Sequence, residues 1–139
     1  MKILVPVDGS AFSLKAVETA CDLAKAKAPS SIVLTAVAVQ IPELEEGVYI
    51  AEKMKAQAKI ALAKAKEVAQ QCGIVSEELL ATGASPAQEI VQAAKDKQAD
   101  LIVIGSRGLA GKTKSFLGST ASQVVTYSPC SVLVVKTQD

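Results

Sequence analysis

The sequence predicts a single α/β domain spanning residues 1–139, built on a five-stranded, doubly wound parallel sheet. Three observations carry this. Short apolar runs alternate along the chain with segments of helical periodicity, giving five strands and four helices in a strand-helix rhythm. The runs are nearly continuous in their hydrophobicity, as strands covered on both faces require. The length suits one compact domain, and a hydrophobic fraction of 50% beside 21% charge belongs to an ordered globular chain. Right-handed crossovers then leave doubly wound orders as the natural topologies.

The elements follow in order. Residues 2–7 form an apolar run that ends in Asp8-Gly9-Ser10, after which Leu14, Val17, Cys21 and Ala24 recur at helical spacing up to Pro29. Residues 31–39 read as a second strand rich in β-branched residues, and Gln40 to Val48, with Pro42 and three glutamates, as a loop. From Tyr49 to Cys72 the positions Met54, Ala58, Ala61, Ala65, Val68 and Cys72 alternate steps of four and three, an amphipathic helix with a narrow, alanine-rich stripe. A coiled-coil partner helix is the weaker reading, because alanines give little knob volume and the pattern stops at Gly73. Ile74 to Ala81, interrupted by Ser76, Glu77 and Glu78, reads as an edge strand. Ser85-Pro86-Ala87-Gln88 combines a capping serine, a proline at the first helical position and a capping-box glutamine, and Ile90, Val91 and Ala94 follow on the buried side. Leu101 to Ile104 is the fourth strand, Ala121, Val124 and Val125 mark a short helix, Ser128-Pro129 breaks it, and Ser131 to Lys136 is the last strand.

Composition excludes whole classes of chemistry. The chain has no histidine, which removes Ser-His-Asp and Cys-His nucleophile arrangements and the usual nitrogen-ligated metal sites. Cys21, Cys72 and Cys130 are widely separated and odd in number, fitting neither a disulfide framework nor zinc-ligand spacing. Aromatics are only 3%, too few for a base-stacking platform, so no nucleic-acid partner is expected. The amino-terminal run turns polar at Asp8, too early for a signal peptide, and no run approaches a membrane span; the expected compartment is the cytoplasm. The net charge is only +1, but no acid occurs between Asp100 and Asp139, where Arg107, Lys112, Lys114 and Lys136 stand. A local anion site is favoured over a polyanion-coating surface.

That site is expected at Gly105-Ser106-Arg107-Gly108 and Gly118-Ser119. Glycines at a strand end allow close backbone approach to an anion, Gly118-Ser119 at a helix start would present free N–H groups and a hydroxyl, and Arg107, the only arginine, can fork onto two oxygens. Lys112 and Thr113 read as part of a mobile loop over the phosphates. Gly111-Lys112-Thr113 copies the end of a P-loop, but the required earlier glycine is Ser106. The dinucleotide spacing G-x-G-x-x-G is also absent. In the order 3-2-1-4-5 the winding reverses between the first and fourth strands, which would bring Asp8 and Gly105 to one crevice. Asp8 reads either as a cap or turn residue before the first helix or as a carboxylate accepting hydrogen bonds from a ligand, and its two oxygens allow both.

The opening Ile3-Leu4-Val5-Pro6-Val7-Asp8-Gly9-Ser10, the spacing Gly105-x2-Gly108-x9-Gly118-Ser119 and the closing Ser128-Pro129-Cys130-Ser131-Val132-Leu133-Val134-Val135 resemble the universal stress protein family, and its ATP-binding branch in the glycine spacing. The resemblance covers essentially the whole chain. It implies a Rossmann-like, adenine nucleotide alpha hydrolase-like three-layer sandwich that holds ATP, often accompanied by Mg²⁺, in the crevice. Carried over by position, Pro6, Val7 and Asp8 would line the nucleoside, Val37 and Ile104 would contact the adenine, and Gly105, Arg107, Gly108, Gly118, Ser119 and Thr120 would hold the phosphates. Ala110 stands where many members have glycine, and Gln40 to Tyr49 carries no family signature.

The expected function is a regulatory, stress-response role in which bound ATP changes shape or partner choice. A slow ATPase or phosphotransferase is the rival, since phosphoryl transfer rests on positioning and electrostatics and does not require histidine. The uncharged last strand, Val132 to Val135, would as a sheet edge invite pairing with a second copy, and the resemblance points to the same homodimer.

Overall fold

The computed structural model describes residues 1–40, 47–108 and 117–137. In chain order the elements are β1 (Lys2–Pro6), α1 (Ala11–Ala26), β2 (Ser31–Val39), α2 (Gly47–Gln71), β3 (Ser76–Gly83), α3 (Pro86–Asp96), β4 (Leu101–Gly105), α4 (Ser119–Tyr127) and β5 (Ser131–Val135). All four strand pairings are parallel, as the sequence predicts, and the sheet order is β3-β2-β1-β4-β5. The chain thus winds outward from β1 in one direction, returns, and winds outward in the other. The fold is Rossmann-like.

The two-residue period of the strands sorts their side chains between two helical layers. Ile3, Val5 and Val7 from the β1 segment, Ile32 and Leu34 from β2 and Val103 from β4 pack under α1 and α2. Leu4, Val33, Ile102 and Ile104 point the other way, onto α3 and α4. The alanine stripe of α2 is buried at Ala58, Ala61 and Ala65, joined by Leu62 and Ala69, and small side chains let this helix lie close to the sheet. Cys21 and Cys72 meet in this layer through a side-chain hydrogen bond; burial first, then that neighbour, pushes the Cys21 thiol up to about 12. All three cysteines are free.

Helix ends follow local chemistry. The Ser85 side chain accepts a hydrogen bond from the Gln88 N–H at 3.3 Å, with Pro86 opening α3. Gly73 closes α2 at φ +80°, and the Ile74 N–H donates back to the Ala69 carbonyl at 2.9 Å, the wrapped ending that glycine permits. That ending corrects the expected third strand. Ile74 belongs to the helix stop, so β3 begins at Ser76 and runs on to Gly83 rather than covering Ile74 to Ala81. Glu77 and Glu78 do not interrupt β3; they lie in it and pair with Lys97 and Lys66 of the flanking segments. Helix α2 likewise begins at Gly47, inside the stretch expected as a loop, while residues 41–46 lie outside the described ones.

Candidate functional site

The C-terminal end of β1 builds one side of the site. Past Pro6 the ladder continues for one more bond, Val7 N–H to the Thr35 carbonyl at 2.8 Å, and the chain then turns at Asp8-Gly9-Ser10. The Asp8 Oδ1 atom accepts from the Ser10 N–H at 2.9 Å, an Asx turn, and Gly9 sits at φ +86°, where a side chain would be strained. The helix cap itself is Ser10, whose Oγ accepts from the Ser13 N–H at 3.1 Å while the Ser13 hydroxyl donates to the Ser10 carbonyl at 3.0 Å. Of the two local roles considered for Asp8, cap and turn, the structure assigns it the turn.

Across the crevice, the end of β4 builds the other side. The Ser106 N–H donates to the Val135 carbonyl at 2.9 Å, and the Gly118 N–H donates to the Ser106 carbonyl at 2.7 Å, so α4 starts directly against the strand end. Gly118 is the N-cap of α4 at φ −61°, ψ 154°. The first N–H groups of an α-helix have no partner within the helix, which concentrates partial positive charge there.

The two ends touch. A Cβ on Gly108 would lie 2.6 Å from Asp8 Oδ2, so the carboxylate occupies the space a side chain at 108 would need. Oδ1 therefore shapes the turn while Oδ2 faces the other loop. A Cβ on Gly105 would lie 2.8 Å from the Phe12 carbonyl oxygen, and one on Gly118 would lie 3.1 Å from the Ser106 carbonyl oxygen. Arg107 rests over the Phe12 ring, its Cζ 5.4 Å from the centroid.

A cavity of about 540 Å³ opens between these ends, and Pro6, Val7, Asp8, Val37, Ile104, Gly105, Arg107, Gly108, Gly118, Ser119 and Thr120 all line it. The sequence-predicted residues are thus brought to one place. Lys112, Thr113, Lys114 and Ala110 lie outside the described residues. Sequence reasoning missed the wall that α2 supplies through Met54, Gln57, Ala58 and Ala61, and the contribution of Pro86 and Ile90 from α3. Positions 54, 57, 58 and 61 form one helical face, but the three apolar members read equally well as core and Gln57 as solvent-facing.

Chemically, the cavity combines an apolar slot from Val37, Ile104, Ile90 and Met54 with a guanidinium, a carboxylate and a helix N-terminus carrying the Ser119 and Thr120 hydroxyls. It fits a ligand with a flat apolar part, hydroxyl donors and an anion. Among the described residues, no group of three or more His, Cys, Asp or Glu side chains is placed to hold a metal ion.

Fold and cavity together define an α/β protein of Rossmann-like architecture with a cavity at the topological switch point. Residues 1–136 match the universal stress protein family, and the chain belongs to that family. It is 36% identical over 146 residues to the universal stress protein YxiE of Bacillus subtilis, covering 97% of this chain and 98% of that one. Among solved structures, UspA from Lactobacillus plantarum superposes with a TM-score of 0.84 at 26% identity, covering 97% of both chains. A universal stress protein crystallised in complex with cAMP superposes at 0.77 with 29% identity, over 99% of this chain and 98% of that one.

Proposed function

We propose that this protein binds an adenine nucleotide, specifically ATP, in the cavity between β1 and β4, and that occupancy sets its shape or partner choice in a stress response. The observation that carries the reading is the meeting of Asp8 with Gly108, which sets a carboxylate beside the strand end that presents Arg107 and beside the N-terminus of α4. In this pose Val37 and Ile104 face the base, Asp8 accepts hydrogen bonds from the ribose, and Arg107, Gly108, Gly118, Ser119 and Thr120 hold the phosphates. The relative solved with cAMP supports an adenine-type ligand. Mg²⁺ would arrive on the phosphates, because Asp8 is the only carboxylate among the described residues lining the cavity.

The test is direct. Purified protein, denatured by heat or acid, should release an adenine nucleotide, and stripped protein should gain about 2.7 kcal/mol of stability at ATP one hundredfold above its Kd. The absence of both release and stabilisation would sink the reading. The enzyme alternative has a separate test: sustained ATP hydrolysis that disappears in Asp8→Ala would replace binding with turnover.

The same reading includes a homodimer through β5. Its outer edge carries no charge within Ser131–Val135, and Leu133, Val125 and Tyr127 are exposed beside it, Tyr127 to 70%. Lys substituted for Leu133 should convert a dimer to a monomer in sedimentation; a parent protein that is monomeric at every concentration rejects the dimer. The protein is placed in the cytoplasm on the same reading. No helix among the described residues is long and apolar enough to cross a membrane.

A further inference from the structure

We infer that Phe12 is the positioning residue of the anion end of the cavity: its ring seats the Arg107 guanidinium, and so sets how strongly the phosphate part of a nucleotide is held. The inference rests on the nucleotide reading above and extends it to a residue outside the cavity wall. Phe12 is absent from the residues lining the cavity, whereas Arg107 lines it, so the ring supports the guanidinium from the side away from the ligand space.

Three observations carry it. Arg107 is the only arginine of the chain and Phe12 one of only two phenylalanines, yet they meet, with Cζ 5.4 Å from the ring centroid. A cation over an aromatic face is attracted by the ring quadrupole, and a guanidinium held by its face keeps its N–H edge for oxygens. The platform itself is fixed. Phe12 is the second residue of α1, whose first turn is capped by Ser10, and its backbone carbonyl lies where only a glycine at 105 leaves room. The ring is therefore registered against β4 two residues before Arg107, and it supports the guanidinium before the ligand arrives. Phosphate affinity then depends on a side chain in the first turn of the helix following β1, although the phosphate loop follows β4.

The consequence separates phosphate from nucleoside. Calorimetric titration of the stripped protein with ATP, adenosine and pyrophosphate compares the parent with Phe12→Leu, Phe12→Tyr, Arg107→Gln and the Phe12→Leu/Arg107→Gln double variant. Phe12→Leu should weaken ATP and pyrophosphate by about three- to thirtyfold and leave adenosine unchanged, and Phe12→Tyr should restore both anions to within about twofold. The double variant should bind no more weakly than Arg107→Gln alone, because the ring acts only through the guanidinium. Equal loss of ATP and adenosine, no loss of either, or additive losses in the double variant would each overturn the inference. Pyrophosphate separates the two claims: a parent that binds it but no adenine nucleotide overturns the nucleotide reading and leaves the Phe12 ratios readable on pyrophosphate, whereas a parent that binds none of the three overturns both.

Discussion

Two loops meet at the cavity, and they are held in opposite ways. The loop after β1 carries bonds within itself, Asp8 Oδ1 accepting from the Ser10 N–H, Ser10 Oγ accepting from the Ser13 N–H, and the Ser13 hydroxyl donating to the Ser10 carbonyl. The segment after β4 is shaped by what it lacks, since side chains at 105, 108 and 118 would run into Phe12, Asp8 and Ser106. The first loop carries its own turn and cap, and the glycines at 105 and 108 leave room for Phe12 and Asp8. Loss of the Ser10 hydroxyl in the first should therefore have a local cost, while a Cβ added at 105 or 108 should be felt across the crevice.

The largest expected effect is at Gly105. An alanine there places its Cβ 2.8 Å from the Phe12 carbonyl oxygen, a backbone atom within a capped helix that cannot swing aside. Overpacking of this kind costs about 1–3 kcal/mol, and Gly105→Ala belongs at the upper end. Chemical denaturation should show a lower midpoint with an unchanged slope. A neutral Gly105→Ala would mean that α1 can slide over the end of β4, and the contrast between the loops would lose its basis.

Gly108→Ala comes next and discriminates better. Its Cβ would lie 2.6 Å from Asp8 Oδ2, a side-chain atom, so the clash can be relieved by turning the carboxylate. Stability should fall by about 1 kcal/mol, less than at Gly105, while ATP affinity falls by about tenfold or more because Asp8 is displaced from the cavity. In a double-mutant cycle the stability cost of Gly108→Ala should be smaller in an Asp8→Ala background, where Oδ2 is gone, than in the parent, with none of the affinity recovered. Additive losses would show that the two loops do not press on each other.

Much of this was legible in the sequence, for reasons that differ by residue. The strands at 31–39 and 101–105 declare themselves through unbroken apolar runs, and α3 through Ser85-Pro86. Their order put Asp8 and Gly105 at one crevice, because a doubly wound sheet has one place where its winding reverses. The purpose of each glycine was not legible. The sequence points Gly105 at an anion but does not declare its neighbour, the Phe12 backbone, because that contact depends on how α1 lies across β4. The place of Gln57 in the cavity lining was hidden for a related reason: a polar side chain facing a cavity has the same pattern as one facing solvent. The start of β3 is not legible either, because the apolar Ile74 serves the helix ending at Gly73.

Within the first loop, Ser10→Ala should cost about 1 kcal/mol, the typical worth of a helix cap, because only the Oγ bond to the Ser13 N–H is lost and the Asp8 turn remains. ATP affinity should stay within about twofold of the parent, since the carboxylate keeps its Ser10 N–H anchor in the backbone. Melting in the absence of ligand reads the first number and calorimetry the second. A large affinity loss with Ser10→Ala would mean that the cap holds Asp8 in place, so that the first loop is not a chain of separable bonds.

The smallest effect on stability is expected for Gly118→Ala, and it tests the boundary of the comparison. The backbone there, φ −61° and ψ 154°, is open to any residue, and an added Cβ would meet the Ser106 carbonyl oxygen at 3.1 Å and the Arg107 Cα at 3.3 Å, tight but short of exclusion. Gly118→Ala should therefore lower stability by only about 0.5–1 kcal/mol, part of it the poorer capping by alanine. The 2.7 Å bond from the Gly118 N–H to the Ser106 carbonyl uses backbone atoms that alanine retains, so α4 should still begin against the strand end. Gly118→Val adds branches beyond that Cβ, toward a segment that also carries Arg107. It should remove ATP binding while leaving a folded protein, as judged by an unchanged circular dichroism spectrum. If the valine variant binds ATP like the parent, the N-terminus of α4 is not where the phosphates lie, and the second loop is shaped for packing alone.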